Sequence, residues 1–451
     1  MTRCLRKIFQ GILTIGGALS LIVAHLGGAE ISNQEYEVLK TQNQKLQNQV
    51  ERQQTEIDEL RQRLDALQSK PPSEPARQVP PPEPTPEIST RVDQPQTLLR
   101  TAREIRVSGE AGLVFFSSGP AGAFPNAEFR VDDAKLFFEA PVWKNVYFFT
   151  GLELTTREAA DEYFHVGELY ADMEDVLTAG RHYTLNLRAG RFNIPFGEEY
   201  QYRNIMANPL ITHSAADIWG TDEGIQAYGS LGRLQYNLAV QNGGHKTLHD
   251  YNKDKSVTIR LGFDPTHFLH LSASAHRTGK LDTVNDGLSE IWLSNGFFRA
   301  LGTAATTRTF DATLYELDAI TRWKSGHFQV TSGEAWFDDD STVTDDSRHL
   351  TFYSFELMQQ LTRKLYGAVR YSGIHAGKGY PIIGLGNAGE YFYNPLAPRT
   401  TDLSRFSAGL GYQFDLSLLW KLEYSWESGH LVGGAPRDGA DTFATELGLK
   451  F

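Results

Sequence analysis

Five cationic side chains, Arg188, Arg260, Arg322, Arg370 and Lys421, occur in segments where apolar and polar residues alternate. Charged side chains that face one channel select ions by sign. A sixth, Arg203, lies in a long irregular stretch from about Asn193 to Asp222, with Glu198, Glu199, Asp217 and Asp222. Such a stretch could bring both signs of charge to a narrow point. The parity that groups the five cations also collects Glu110, Glu153, Asp172, Glu316, Asp318, Glu356, Glu423, Glu446 and Lys450. The expected wall is therefore mixed, not an obvious ladder for anions. Covalent chemistry has little support. There is no G-x-S-x-G nucleophile elbow and no H-E-x-x-H pair. His245 and His249 could suggest a metal pair, but a Gly/Asn/Lys setting reads as solvated surface. The acidic run Asp338-Asp339-Asp340 to Asp345-Asp346 lacks the spacing of an EF-hand loop and reads as a hydrated loop. No enzyme, metal or cofactor is expected.

The elements that would carry these residues are strands. From Ile105 to Phe451 there is no helical periodicity, but many segments of about ten residues with period two. "VTIRLGF" opposes Val257, Ile259, Leu261 and Phe263 to Thr258, Arg260 and Gly262. "SLLWKLEYSWE" sets Leu418, Trp420, Leu422, Tyr424 and Trp426 against a face holding Lys421 and Glu423. Connections alternate between short ones such as "SLGR" and "KSGH" and long polar or glycine-rich ones such as "SGHLVGGAPRDGAD". The pattern gives sixteen strands with eight long and seven short connections. An even count with short turns on one side and long loops on the other is the plan of an antiparallel transmembrane β-barrel. A secreted β-sandwich array is the rival, and it does not explain the short–long alternation. The closing strand, "DTFATELGLKF", has an apolar stripe of Phe443, Leu447, Leu449 and Phe451 that suits a lipid-facing surface ending at the membrane interface.

Residues 1–29 read as a signal peptide: Arg3, Arg6 and Lys7, then a mostly apolar run, then small residues before Glu30. The lone cysteine, Cys4, lies inside it, so the mature chain has no thiol and no disulfide. Residues 30–70 are expected to form a coiled-coil helix. Tyr36, Asn43, Val50, Ile57 and Leu64 occupy one seam position of a seven-residue repeat, and Leu39, Leu46, Gln53, Leu60 and Leu67 the other. Residues 71–104 are a proline-rich linker, extended and semi-rigid. The barrel domain spans 105–451. Both of its ends would lie in the periplasm, and the coiled coil with them.

"LNLRAGRFNIPFGEEYQYRN", Leu185 to Asn204, resembles the phosphate-selective porin family of the O and P type, where a G-[RQ]-F-x-x-P-F-G stretch leads from a strand into a long loop. "TDEGIQAYG", Thr221 to Gly229, is similar to that family's next strand. The resemblance implies a homotrimer of sixteen-stranded barrels in the outer membrane, with the third loop folded inward to narrow each pore. It implies passive diffusion of small hydrophilic solutes, phosphate and other anions among them. It also implies that outer-membrane lipid surrounds the barrel and that the barrel-assembly machinery recognises a terminal aromatic such as Phe451. Pro195 and Gly197 are expected to serve backbone shape in a loop-entry turn. The net charge of −12 falls entirely on the barrel domain, much of it in loops, so it does not decide selectivity. A second expected role is structural: the coiled coil and linker would tether the outer membrane to the cell wall. No feature suggests a nucleic-acid partner.

Overall fold

In a computed structural model the residues described are 105–155, 165–180, 183–202, 204–214, 217–218, 220–243, 253–282, 306–381 and 399–451. The expected signal peptide (1–29), coiled coil (30–70) and linker (71–104) lie outside them, as do Arg203, His245 and His249.

The strands run β1 Arg106–Ser118, β2 Glu128–Trp143, β3 Val146–Thr155, β4 His165–Thr178, β5 Tyr183–Asn193, β6 Thr221–Leu231, β7 Leu234–Gln241 and β8 Ser256–Thr266. They continue as β9 Leu269–Asp282, β10 Thr309–Trp323, β11 Gly326–Asp339, β12 Arg348–Gln360, β13 Leu365–Pro381, β14 Arg399–Asp415 and β15 Leu418–Leu431. A two-residue ladder, β16 Pro436–Arg437, precedes β17 Thr442–Lys450. Apart from that ladder there are sixteen strands among the described residues. Each pairs antiparallel with its neighbours, and β17 closes on β1 with Leu113 opposite Leu447. Phe451 and Gly109 exchange backbone hydrogen bonds at 3.0 and 3.1 Å, so the seam is paired to the final residue. Closure removes the unpaired edge that would otherwise face hydrocarbon.

The alternation read from sequence sorts the two faces. On β8, Val257, Ile259, Leu261 and Phe263 are exposed on the outside while Ser256, Thr258 and Arg260 are buried inside. The same holds for Trp420, Tyr424 and Trp426 on β15. Strands of eight to seventeen residues are long enough for a tilted crossing of the bilayer core, which needs about 9–11. An outer surface this apolar is stable only against lipid.

The inner face departs from a polar lumen. Towards the long loops, Phe310, Ala312 and Leu314 of β10, Phe337 of β11, Leu350 and Phe352 of β12 and Tyr380 of β13 point inward and are buried. They are covered by the β5–β6 connection, which supplies Ile194, Phe196 and Ile218 to the same cluster. Burying each large apolar side chain is worth about 1.5–3 kcal/mol, enough to hold a loop of this size inside the barrel.

Candidate functional site

The β5–β6 connection is the third long loop, as expected, and it crosses the lumen. Its entry is "IPFG". Gly197 has φ 68°, and a Cβ there would stand 2.5 Å from Glu316 Oε1, so both backbone and space call for glycine. The Gly197 N–H donates to Ser274 Oγ at 3.1 Å. Arg260 Nη1 donates to the Gly197 carbonyl at 3.1 Å and to Glu198 at 3.3 Å. A single helical turn, α1 Glu199–Tyr202, follows. Glu199 is buried against Ser214 within the loop, and Asp217 is buried against His213.

The tip of the loop, 205–212, is clamped on the far wall by three charged side chains from β13 and β15. Lys421 Nζ donates to the carbonyls of Ile205, Asn208 and Leu210 at 2.9, 3.4 and 3.1 Å and pairs with Glu446. Two residues on, the Glu423 carboxylate accepts the Ile211 and Thr212 N–H groups at 2.6 and 2.9 Å, and the Thr212 hydroxyl. Arg370 donates to the Thr212 carbonyl at 2.6 Å, to Asn208 Oδ1 at 2.9 Å and to Glu356 at 2.8 Å. The Lys421 and Arg370 side chains are only 1% and 3% exposed. Charge-assisted bonds to backbone groups satisfy the carbonyls and N–H groups of an irregular segment that has no sheet partner. Gly448 lets the loop approach β17: a Cβ there would meet Ile205 at 2.7 Å.

The opposite wall, β2 to β5, stays accessible. Lys135 and Glu153 face each other at 3.9 Å with side chains 20% and 18% exposed. Arg188, 16% exposed, donates through Nε and Nη2 to Asp172 Oδ2 at 3.1 and 2.7 Å. Its Nη1 has no partner among the described residues. Tyr228 donates to the other Asp172 oxygen at 2.7 Å, so the carboxylate and guanidinium are both fixed.

The residues singled out by sequence thus fall into three places. Glu198, Glu199, Asp217, Arg260, Arg370 and Lys421 belong to the contact between the third loop and its wall. Arg188 stands on the accessible side. Arg322 lies at the end of β10, opposite His327 and beside a short turn, away from both. The inward apolar patch and the accessible Lys135–Glu153 pair were not anticipated. The apolar patch has a sequence signal: in "TFDATLYEL" both faces carry apolar residues, as in a strand buried on both sides.

No protein-family model matches the chain, and no curated protein does. Solved structures do. The outer membrane channel DcaP of Acinetobacter baumannii matches with a TM-score of 0.52 at 10% identity, over 77% of this chain and 97% of that one. Salmonella typhi OmpF, in complex with daunomycin, gives 0.49 at 12% identity over 77% and 98%. An anion-selective porin from Comamonas acidovorans gives 0.47 at 10% identity over 77% and 99%. At these identities the likeness is one of fold.

Proposed function

We propose that this chain is an outer-membrane porin, a channel for passive diffusion of small hydrophilic solutes and ions. The observation that carries the reading is the closed barrel with an apolar exterior, crossed by an inward loop that covers one wall and leaves a charged wall accessible. Purified protein added to a planar bilayer gives discrete conductance steps if this is right; a silent bilayer refutes it.

The finer reading is a modest preference for anions, phosphate among them. Arg188 with its open Nη1 supports it, and so does the place of Arg203 in the narrowing loop's sequence. In a KCl gradient Arg203→Glu shifts the reversal potential toward cations, while Asp339→Lys at the end of β11 barely moves it. Cation preference in the unaltered protein ends this reading.

The pore works as a homotrimer whose periplasmic arms, residues 30–70, associate as a parallel helical bundle. The seam of Leu39, Leu46, Val50, Ile57, Leu60, Leu64 and Leu67 supports this. Residues 33–70 alone should sediment as trimers, and a monomer at high micromolar concentration overturns the proposal. Tethering to the cell wall is the second role of the arm. Deleting residues 30–103 then weakens the envelope with conductance unchanged, whereas altered conductance assigns the arm to pore assembly. The exposed Phe451, which completes the β1–β17 seam, is the signal for the barrel-assembly machinery.

A further inference from the structure

Five consecutive strands each send one side chain to a single row on the accessible wall. The row runs Phe137 on β2, Phe149 on β3, Tyr170 on β4, Arg188 on β5 and Tyr228 on β6. The three rings follow one another at centroid distances of 6.0 and 4.9 Å with planes 25° and 21° apart. The guanidinium lies 4.1 Å from the Tyr170 centroid and 5.3 Å from that of Tyr228. Tyr170 and Tyr228 are buried, but Phe137 and Phe149 remain partly exposed, whereas the inward rings Phe310, Phe337 and Phe352 lie buried where the third loop packs. A phenyl surface left to water inside a channel forgoes the stabilisation of burial. It is stabilised whenever a solute lays an apolar face on it.

The neighbouring polar groups specify that solute further. Besides the pairs Lys135–Glu153 and Arg188–Asp172, Glu139 lies opposite Phe149 and Glu168 two residues before Tyr170, so acceptor carboxylates flank the strip while Arg188 offers Nη1 as a donor. An apolar surface with a few convergent polar groups is the general form of a small-molecule site. A neutral ring with a flat C–H face and a rim of hydroxyls matches it. We infer that this row is a subsite for neutral ring sugars passing through the channel. The inference rests on the open passage proposed above.

The test is ion current through single channels in bilayers, with cellobiose added and with sorbitol, an acyclic polyol, as the comparison. Cellobiose should reduce the current in a saturable way, beyond what sorbitol does at equal concentration. Phe149→Leu and Phe137→Leu should raise the half-blocking concentration by about three- to tenfold, the size of one aromatic contact. Phe148→Leu, on the outward face of the same strand, should leave it unchanged. Normal conductance with cellobiose acting no more than sorbitol overturns the subsite alone. Block by benzoate without block by cellobiose overturns the sugar class. Absence of conductance refutes the porin reading, and the subsite with it.

Discussion

The two halves of the lumen use the same residue types for opposite ends. On β13 and β15, Arg370, Lys421 and Glu423 are buried and spend their charge on the backbone of the third loop. On β2 to β5, Lys135, Glu153 and Arg188 face one another or the water of the channel. The difference lies in what the loop covers, since the barrel wall itself is continuous. A charge in the lumen therefore counts toward selectivity only where no backbone group has claimed it.

The largest effect should come from breaking the clamp. Lys421→Met leaves Glu446 and three carbonyls without their cation, and losing one partner of a buried pair costs about 3–5 kcal/mol. A lowered denaturation midpoint and raised single-channel conductance are expected; wild-type values for both would remove the clamp assignment. Next is a paired comparison of arginines across the lumen. Arg188→Gln should change the anion-to-cation permeability ratio by up to roughly fivefold, the weight of about 1 kcal/mol for an accessible charge. Arg370→Gln should disturb conductance and stability while leaving the ratio near wild type. If Arg370→Gln moved the ratio more than Arg188→Gln, the division of the lumen would be wrong.

The smallest effect lies outside the membrane and sets a baseline. In the β11–β12 connection, Asp345 is held to about 2 by the hydrogen bond from Lys378 and by Ser347. Its ordinary value is about 3.9, so the contact is complete above that pH and is lost as pH falls through about 2. Lys378→Met should return the Asp345 carboxyl toward its ordinary range in an NMR titration, with the pore's conductance unchanged. A conductance change would mean that this loop reaches the passage.

The sequence by itself determined the barrel. Period-two alternation separates Ile259 from Arg260 by face, short turns and long loops set the strand count, and "IPFG" marks the entry turn of the third long loop. These are local properties, readable because side-chain direction in a strand follows from parity alone. Parity also placed Arg188, Arg260, Arg370 and Lys421 on the inner face. It could not rank them, because their availability depends on contacts far apart in the chain. Glu423 meets Ile211 across 212 positions and Arg370 meets Thr212 across 158. Only tertiary structure decided which wall the loop would cover. The reason is packing: the apolar patch of Phe310, Phe337 and Phe352 on one inner wall meets Ile194, Phe196 and Ile218 of the loop. That burial draws the loop to one side and leaves Phe137, Phe149 and Arg188 partly exposed on the other.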